Sequence, residues 1–253
     1  MVNPRTIRRV LKCFRDSIVT LVYPQDCAVC GGPVESGDDG MVCTRCWDDY
    51  EECLSDRIGC IRCGWPSSGV ESAREPQDQC QHCRTLELDW FRCLGPYRGA
   101  IRAVVLSLKR QPYLPARVGH LLERRLPGEL ELLRCESIYP VPLHAKRARE
   151  RGFNQAEVLA REVSRVAATP VLSRILERVV ETRKHRAGID ARERSASLDD
   201  AFKLAEGRRL DGQSILLVDD VFTTGATMNE CARTLRSAGA SWICAFTLAR
   251  VVD

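Results

Sequence analysis

The pattern of apolar residues in the second half of the chain predicts a parallel sheet covered by helices. Short, nearly continuous apolar runs alternate there with segments whose apolar residues recur at helical spacing. The predicted strands are Ser137–Val141, Ser214–Val218 and Trp242–Leu248. The predicted helices are Ala100–Leu108, Pro115–Arg125, Asn154–Ala168 and Thr227–Ala238. Strands of this kind are buried on both faces, so the order indicates an α/β fold that binds ligands at the carboxyl ends of its strands.

The N-terminal segment has a different pattern. Residues 6–23 place apolar side chains at helical intervals with charges on the other face, which predicts an amphipathic helix within residues 1–24. We expect this helix to dock on its own protein. Binding to a membrane surface is less favoured, because Asp16 interrupts an otherwise basic face. No apolar run reaches the roughly 18 residues of a membrane span, and no signal-peptide pattern is present.

The cysteines add a metal-binding region. Eight of the 14 cysteines form four CxxC pairs, with twelve residues between the first two pairs and sixteen between the last two. The pairs are Cys27 and Cys30, Cys43 and Cys46, Cys60 and Cys63, and Cys80 and Cys83. Two CxxC turns can surround one ion with four thiolates, which predicts two consecutive zinc ribbons with structural Zn²⁺. Redox chemistry would need one pair rather than four, whereas iron–sulfur ligation stays open.

Charge suggests where the ribbon region ends. Residues 1–94 hold 11 Lys and Arg against 15 Asp and Glu, whereas residues 95–253 hold 27 against 19. We therefore predict an N-terminal helix over 1–24, a double zinc ribbon over 25–94 and an α/β domain over 95–253. Eight thiolates on two Zn²⁺ ions would bring the formal net charge of +4 to zero. Overall basic charge is consequently no argument for nucleic-acid binding.

The stretch ILLVDDVFTTGAT, residues 215–227, carries the most specific chemistry. A buried strand is expected to end at Asp219 and Asp220, followed by a turn of small residues around Gly225 and a helix that Thr227 caps and Gly239 ends. Backbone amides in such a turn bind a phosphate monoester. The two carboxylates suit vicinal hydroxyls or Mg²⁺. Together they describe a ribose 5-phosphate, while the absence of GxGxxG and GKS/T loops disfavours dinucleotides and ATP.

This stretch resembles the phosphoribosyl pyrophosphate (PRPP) signature of type I phosphoribosyltransferases, although Phe222 is bulkier than the usual aliphatic residue. The resemblance implies PRPP binding with Mg²⁺. It assigns substrate contacts to Asp219, Asp220, Val221, Thr223, Thr224, Gly225, Ala226 and Thr227.

A second stretch, PVPLHAKRARERGFNQAEVLA at residues 140–160, narrows the family. With the double ribbon and Lys109 in LSLKRQ, it resembles the competence protein ComF family, which includes the GntX-like proteins. That resemblance implies a cytoplasmic bacterial protein with a type I phosphoribosyltransferase fold, and a link to DNA uptake in some members.

Basic residues would stabilise the pyrophosphate leaving group. We expect Arg147 and Arg151 to bind it, with Lys109 and Lys146 as further candidates, and we place Arg147 and Arg151 with the two aspartates in the catalytic set. A solvated basic face is the alternative, strongest for Lys146. Residues 181–200 are expected to form a loop that closes over the site, or else a linker. Its departures from the family pattern at residues 185–186 and 197 leave the acceptor open.

Three functions fit these patterns. The chain could transfer phosphoribosyl groups, act as a non-catalytic PRPP or nucleotide sensor among DNA-uptake proteins, or bind single-stranded DNA through its ribbons. For the third function, Trp47 and Trp65 could stack on bases, although capping the small ribbon cores is the favoured role for both.

Overall fold

A computed structural model describes residues 25–55, 60, 62–65, 80–180 and 200–252. The helix predicted within residues 1–24 and all but the last residue of the loop predicted over 181–200 lie outside these residues. Across the described ranges, no helix combines the length and the apolar composition that crossing a membrane requires.

The strands form a parallel sheet and a separate hairpin. They are β1 Trp90–Pro96, β2 Ser137–Pro140, β3 Leu176–Arg178, β4 Phe202–Leu204, β5 Ser214–Phe222 and β6 Trp242–Arg250. The sheet has the order β1-β6-β5-β2 with every neighbouring pair parallel, and β3 and β4 pair antiparallel. The expected α/β fold with a parallel sheet is confirmed, and β1 and the hairpin are additions that the sequence did not predict.

Helices cover both faces of this sheet. They are α1 Thr44–Ser55, α2 Gly99–Leu108, α3 Ala116–Leu133, α4 Ala145–Arg151, α5 Gln155–Ala167 and α6 Ala226–Ser237. Helices α2, α3, α5 and α6 correspond to the predicted ones, although α3 continues well past Arg125. Helix α5 begins as expected, because the Asn154 side chain accepts a hydrogen bond from the Ala156 N–H at 3.1 Å. Helices α1 and α4 were not predicted.

Strand β5 divides the interior into two clusters because its side chains alternate. Leu216 and Val218 pack in one cluster with residues of α2, α3, α5 and the first ribbon. Ile215 and Leu217 pack in the other with residues of α6 and the β3–β4 hairpin. The sheet is therefore covered on both faces, as near-continuous apolar strands require.

The first ribbon packs directly against the sheet. The Tyr50 hydroxyl on α1 donates to the Pro96 carbonyl at 3.1 Å across the end of β1. A Cβ at Gly95 would lie 2.2 Å from that hydroxyl oxygen, so this close approach requires glycine. Strand β1 also contains residues on both sides of the boundary drawn near residue 94 from charge, and that boundary remains a prediction.

Candidate functional site

The acid pair lies within a strand, not beyond its end. Pairing of β2 with β5 stops at Val218, but β6 stays paired through Asp219 with Thr247 and as far as Phe222 with Arg250. The expectation that the strand ends at Val218 is therefore wrong, because the neighbour on one side continues. Both carboxylates therefore lie on a part of β5 that is still paired with β6 but no longer with β2.

The two carboxylates have different surroundings. Asp220 is 6% exposed, and the Lys109 ammonium nitrogen lies 3.6 Å from its Oδ2. Within the described part of the chain, this buried Oδ2 has no hydrogen-bond partner. The Asp219 Oδ1 accepts the Asp220 N–H at 2.8 Å. Burial, together with the neighbouring Asp220 charge, raises the pKa of Asp219 well above its ordinary value despite that hydrogen bond and the more distant Lys109.

The turn that follows presents a helix N-terminus. Gly225 has φ +80° and is the N-cap of α6, and the first helical hydrogen bond runs from the Asn229 N–H to its carbonyl at 2.8 Å. Thr227 thus lies in the first turn, and its expected capping role is wrong. The N–H groups of Thr227 and Met228 have no acceptor inside the helix, an arrangement that favours an anion. Gly239, with φ +103°, follows the end of the helix as expected.

The basic residues of this region lie on the short helix α4. His144 begins α4 by accepting the Lys146 N–H at 3.4 Å. Arg151 ends the helix and donates to the Gln155 side-chain oxygen. Gly152, with φ +78°, then turns the chain towards α5. The helix holds Arg147 and Arg151 at fixed positions, whereas Lys146 is exposed.

A cleft of roughly 820 Å³ joins these groups. Its lining includes eight of the expected residues, namely Lys109, Arg147, Arg151, Asp219, Asp220, Val221, Thr223 and Thr227. It does not include Lys146, Thr224, Gly225 and Ala226. Basic groups thus meet the acid pair and the helix N-terminus in one cavity. A second cavity of roughly 870 Å³, between the first ribbon and α2, has no acidic residue among its described lining residues.

The cleft also contains Arg178, which sequence reasoning missed. Arg178 ends β3, and its guanidinium carbon lies 5.4 Å from the centre of the Phe202 ring across the hairpin. Burial lowers the pKa of Arg178 from its ordinary value, and the charge of Arg147 lowers it further. The only sequence signal is an arginine in a strand of three residues, too short to be recognised by periodicity.

The eight paired cysteines form two groups of four. Within each group the sulfur atoms lie within 4.8 Å of one another. Three of these sulfur–sulfur distances are 3.7 Å for Cys30–Cys43, 3.5 Å for Cys60–Cys83 and 3.8 Å for Cys63–Cys80. Four sulfurs about 2.3 Å from a tetrahedral Zn²⁺ would be about 3.8 Å apart, so both groups fit such an ion. The expected pairing of the first with the second CxxC turn, and of the third with the fourth, is confirmed.

Backbone amides favour the thiolate form of one cysteine in each group. Burial alone would raise the pKa of Cys27, but hydrogen bonds from the backbone N–H groups of Cys43, Cys30 and Val29 lower it to about 6. In the second group the pKa of Cys60 is about 7, because N–H groups of Cys63 and Arg62 outweigh burial in the same way. Backbone hydrogen bonds therefore stabilise the Cys27 and Cys60 thiolates without any contribution from a cation.

Both ribbon tryptophans contact other groups of the protein, Trp47 as a buried residue and Trp65 as a half-buried one. Trp47 is fully buried, and its indole N–H donates to the Asp39 carbonyl at 2.9 Å. Trp65 stacks on His82 with ring centres 3.5 Å apart, and the Arg250 guanidinium carbon lies 4.3 Å from the Trp65 ring centre. These positions agree with the capping role rather than with base stacking.

Two family models match separate parts of the chain. Residues 18–85 match a family model described as a double zinc ribbon domain, and residues 152–251 match one described as a phosphoribosyl transferase domain. The fold and site thus define a phosphoribosyltransferase-like protein that carries a double zinc ribbon.

Individual relatives identify the family. The chain is 34% identical over 179 residues to competence protein F from Haemophilus influenzae, covering 68% of this chain and 78% of that protein. It is 29% identical to the DNA utilization protein YhgH from Escherichia coli K12, covering 92% of this chain and 100% of that protein. It is 34% identical to competence protein ComFC from Bacillus subtilis, covering 45% and 44%. The chain belongs to the competence protein ComF family.

Proposed function

We propose that the cleft binds PRPP with Mg²⁺ and transfers its phosphoribosyl group to a nitrogen acceptor. The observation that carries this proposal is the meeting of two kinds of group in one cavity. Asp219 and Asp220 offer acceptors for ribose hydroxyls or a metal ion, whereas Thr227 lies at a helix N-terminus suited to the 5-phosphate. Repulsion from the carboxylates directs the phosphate towards the helix.

The residues present fit Mg²⁺. The Asp220 Oδ2 atom is buried and has no hydrogen-bond partner among the described residues, and Asp219 lines the same cleft. These two carboxylates would hold the ion, which when bound supplies positive charge beside the pyrophosphate oxygens. Mg²⁺ binding requires both carboxylates to be ionised, so it must overcome the raised pKa of Asp219.

The protein's own cations would stabilise the remaining charge of the leaving group. Arg147 and Arg151 lie on one helix wall of the cleft, and Arg178 on the hairpin faces the same space. In the reaction the bond from ribose C1 to pyrophosphate breaks and a bond from C1 to the acceptor nitrogen forms. Pyrophosphate leaves and the acceptor loses a proton. Such chemistry needs positioned charge, not a protein nucleophile.

Pyrophosphate release from PRPP tests this function across a panel of purine, pyrimidine and amine acceptors with Mg²⁺. We expect Asp219→Ala and Asp220→Ala each to lower the rate by roughly 100-fold or more. Asp211→Ala is the matched control, because Asp211 is an exposed carboxylate near the start of β5 that pairs only with Arg209 in the described chain. Equal rates for Asp219→Ala and the wild type would refute the assignment.

A second function, PRPP sensing without turnover, is favoured by the names of the relatives, which refer to competence and DNA utilization. Tight, Mg²⁺-dependent PRPP binding without pyrophosphate release would support it. Single-stranded DNA binding through the ribbons is a third function. DNA binding that weakens steeply with salt and does not change when PRPP is added would support it. The burial of Trp47 argues against this third function.

A further inference from the structure

The second ribbon is linked by side-chain contacts to the turn at residues 223–227, which is called the phosphate turn below. Arg250, the last residue of β6, is 3% exposed, and its Nη1 donates to the Cys63 carbonyl at 2.7 Å. The same guanidinium lies 4.3 Å from the Trp65 ring centre and 5.0 Å from that of Phe222. One buried side chain therefore contacts both a cysteine turn of the ribbon and the strand end that leads into the turn.

Phe222 carries this contact to the turn. Its ring packs on Phe91 with centres 4.3 Å apart, and it lies directly beneath Gly225. A Cβ on Gly225 would lie 2.5 Å from the tip of the Phe222 ring. The turn thus rests on an aromatic ring whose other neighbours, Phe91 and Arg250, both contact the second ribbon. The Phe91 N–H donates to the Arg62 carbonyl, and Arg250 donates to that of Cys63. The bulky Phe222, which replaces the usual aliphatic residue of the signature, therefore supports the turn.

A second contact joins the same two units. Asn229, in the first turns of α6, donates to the Thr85 carbonyl at 2.6 Å and accepts the Glu87 N–H at 3.0 Å. Thr85 lies two residues after Cys83, a member of the second cysteine group. The helix whose N-terminus forms the candidate phosphate site is consequently tied to the ribbon independently of Arg250.

Electrostatics gives the metal a role in this arrangement. Among the described residues no carboxylate lies within ion-pair distance of Arg250, and its Nε has no hydrogen-bond partner. A buried cation without a counter-charge is costly. Four thiolates around one Zn²⁺ carry a net double negative charge, and Cys63 would place that charge beside Arg250. The loaded metal site is therefore the nearest counter-charge that the described structure offers.

We infer that metal binding at Cys60, Cys63, Cys80 and Cys83 holds the phosphate turn in its binding conformation through Arg250 and Phe222. Loss of the metal removes the counter-charge of Arg250, the packing on Phe222 loosens, and the amides after Gly225 no longer converge. The first cysteine group is not coupled in this way, because its helix α1 contacts α2 and the end of β1. The effect on ligand affinity rests on the proposed function, whereas the effect on the turn does not.

Hydrogen–deuterium exchange of the amides in residues 223–228 tests the coupling without any ligand, using the full zinc-loaded chain. We expect faster exchange in Cys60→Ser, which empties the second site, and in Arg250→Met, which keeps all eight ligands. Cys30→Ser, at the first site, and Arg161→Met, an exposed arginine on α5, are the matched controls and should exchange like the wild type. Unchanged exchange in Arg250→Met, or equal acceleration in Cys30→Ser, overturns the inference.

Titration calorimetry with ribose 5-phosphate then separates this inference from the proposed function. We expect Cys60→Ser and Arg250→Met to weaken its binding by about tenfold or more, and both controls to bind within about twofold of the wild type. Linkage of binding free energies is reciprocal, so saturating ribose 5-phosphate should raise the zinc affinity of the wild type by a similar factor, and not that of Arg250→Met, in equilibrium competition with a chromogenic chelator. If the wild type binds no ribose 5-phosphate, the proposed function fails, and the exchange data still decide the coupling.

Discussion

Replacing Gly225 by alanine should destabilise the protein for two separable reasons. The residue has φ +80°, where an L-residue costs roughly 1–2 kcal/mol. Its new Cβ would also lie 2.5 Å from Phe222 Cζ, 3.1 Å from Cε2 and 3.3 Å from Cε1. The ring is held by Phe91 and Arg250, so the overlap adds roughly 1–3 kcal/mol. We expect a total loss of about 2–5 kcal/mol of unfolding free energy.

Urea unfolding of the zinc-loaded chain measures this loss, and Gly207→Ala provides the reference. Gly207 has φ +74°, but a Cβ added there would have no other atom within 4 Å, so this variant reports the conformational cost alone. The double variant Gly225→Ala/Phe222→Leu should recover about 1–3 kcal/mol relative to the sum of its single variants, because the shorter side chain removes the overlap. Equal losses for Gly225→Ala and Gly207→Ala would refute the packing of Phe222 beneath the turn.

Three further predictions concern charge and metal. The folded-state pKa of Asp219 is raised, so the stability of the wild type falls as the pH rises from the unfolded-state pKa of about 3.9 through the folded-state pKa. Asp219→Asn should therefore unfold at a higher urea concentration than the wild type at pH 8 but not at pH 4. The same variant should lose Mg²⁺ binding, which in the wild type should strengthen as the pH rises. Burial alone would raise the pKa of Glu51, but Arg117 and Arg124 lower it, so Glu51→Gln should cost about 0.5–1.5 kcal/mol at pH 7, and this cost should shrink as the pH falls through the lowered folded-state pKa; an unchanged cost at low pH contradicts the ion-pair explanation. Elemental analysis by mass spectrometry should find two Zn²⁺ per wild-type chain and one in Cys27→Ser, whereas iron in the purified chain would contradict the zinc assignment.

Local chemistry made some parts of the site predictable. The spacing of the CxxC pairs is enough to predict two sites of four thiolates. The apolar run from Ile215 to Val218 is enough to predict a strand that is buried on both faces. Asn154 is recognisable as a cap because its partner is two residues away. These features depend on neighbours in the sequence, and the structure has them where the sequence indicates.

Other parts depend on partners far along the chain. Strand β5 continues through Asp219 because β6 stays paired with it, and no residue near Asp219 reveals that neighbour. The two strands of the hairpin have three residues each, too few for their periodicity to be recognised. The role of Arg250 requires knowing that Cys63, 187 residues earlier, lies beside it. Arg178 was missed for the same reason, since only the tertiary fold brings it to the acid pair.

The order of strands has a consequence for synthesis on the ribosome. Strand β6 lies between β1 and β5 in the sheet but follows both in the chain. Neither β1 nor β5 can therefore pair with β6 until the ribosome has synthesised it. Until then, two apolar edges stay open to pairing with other chains, the situation in which nascent proteins aggregate. Ribosome-bound chains that stop before Trp242 should therefore require chaperones, whereas chains that include Arg250 and clear the exit tunnel can close the sheet.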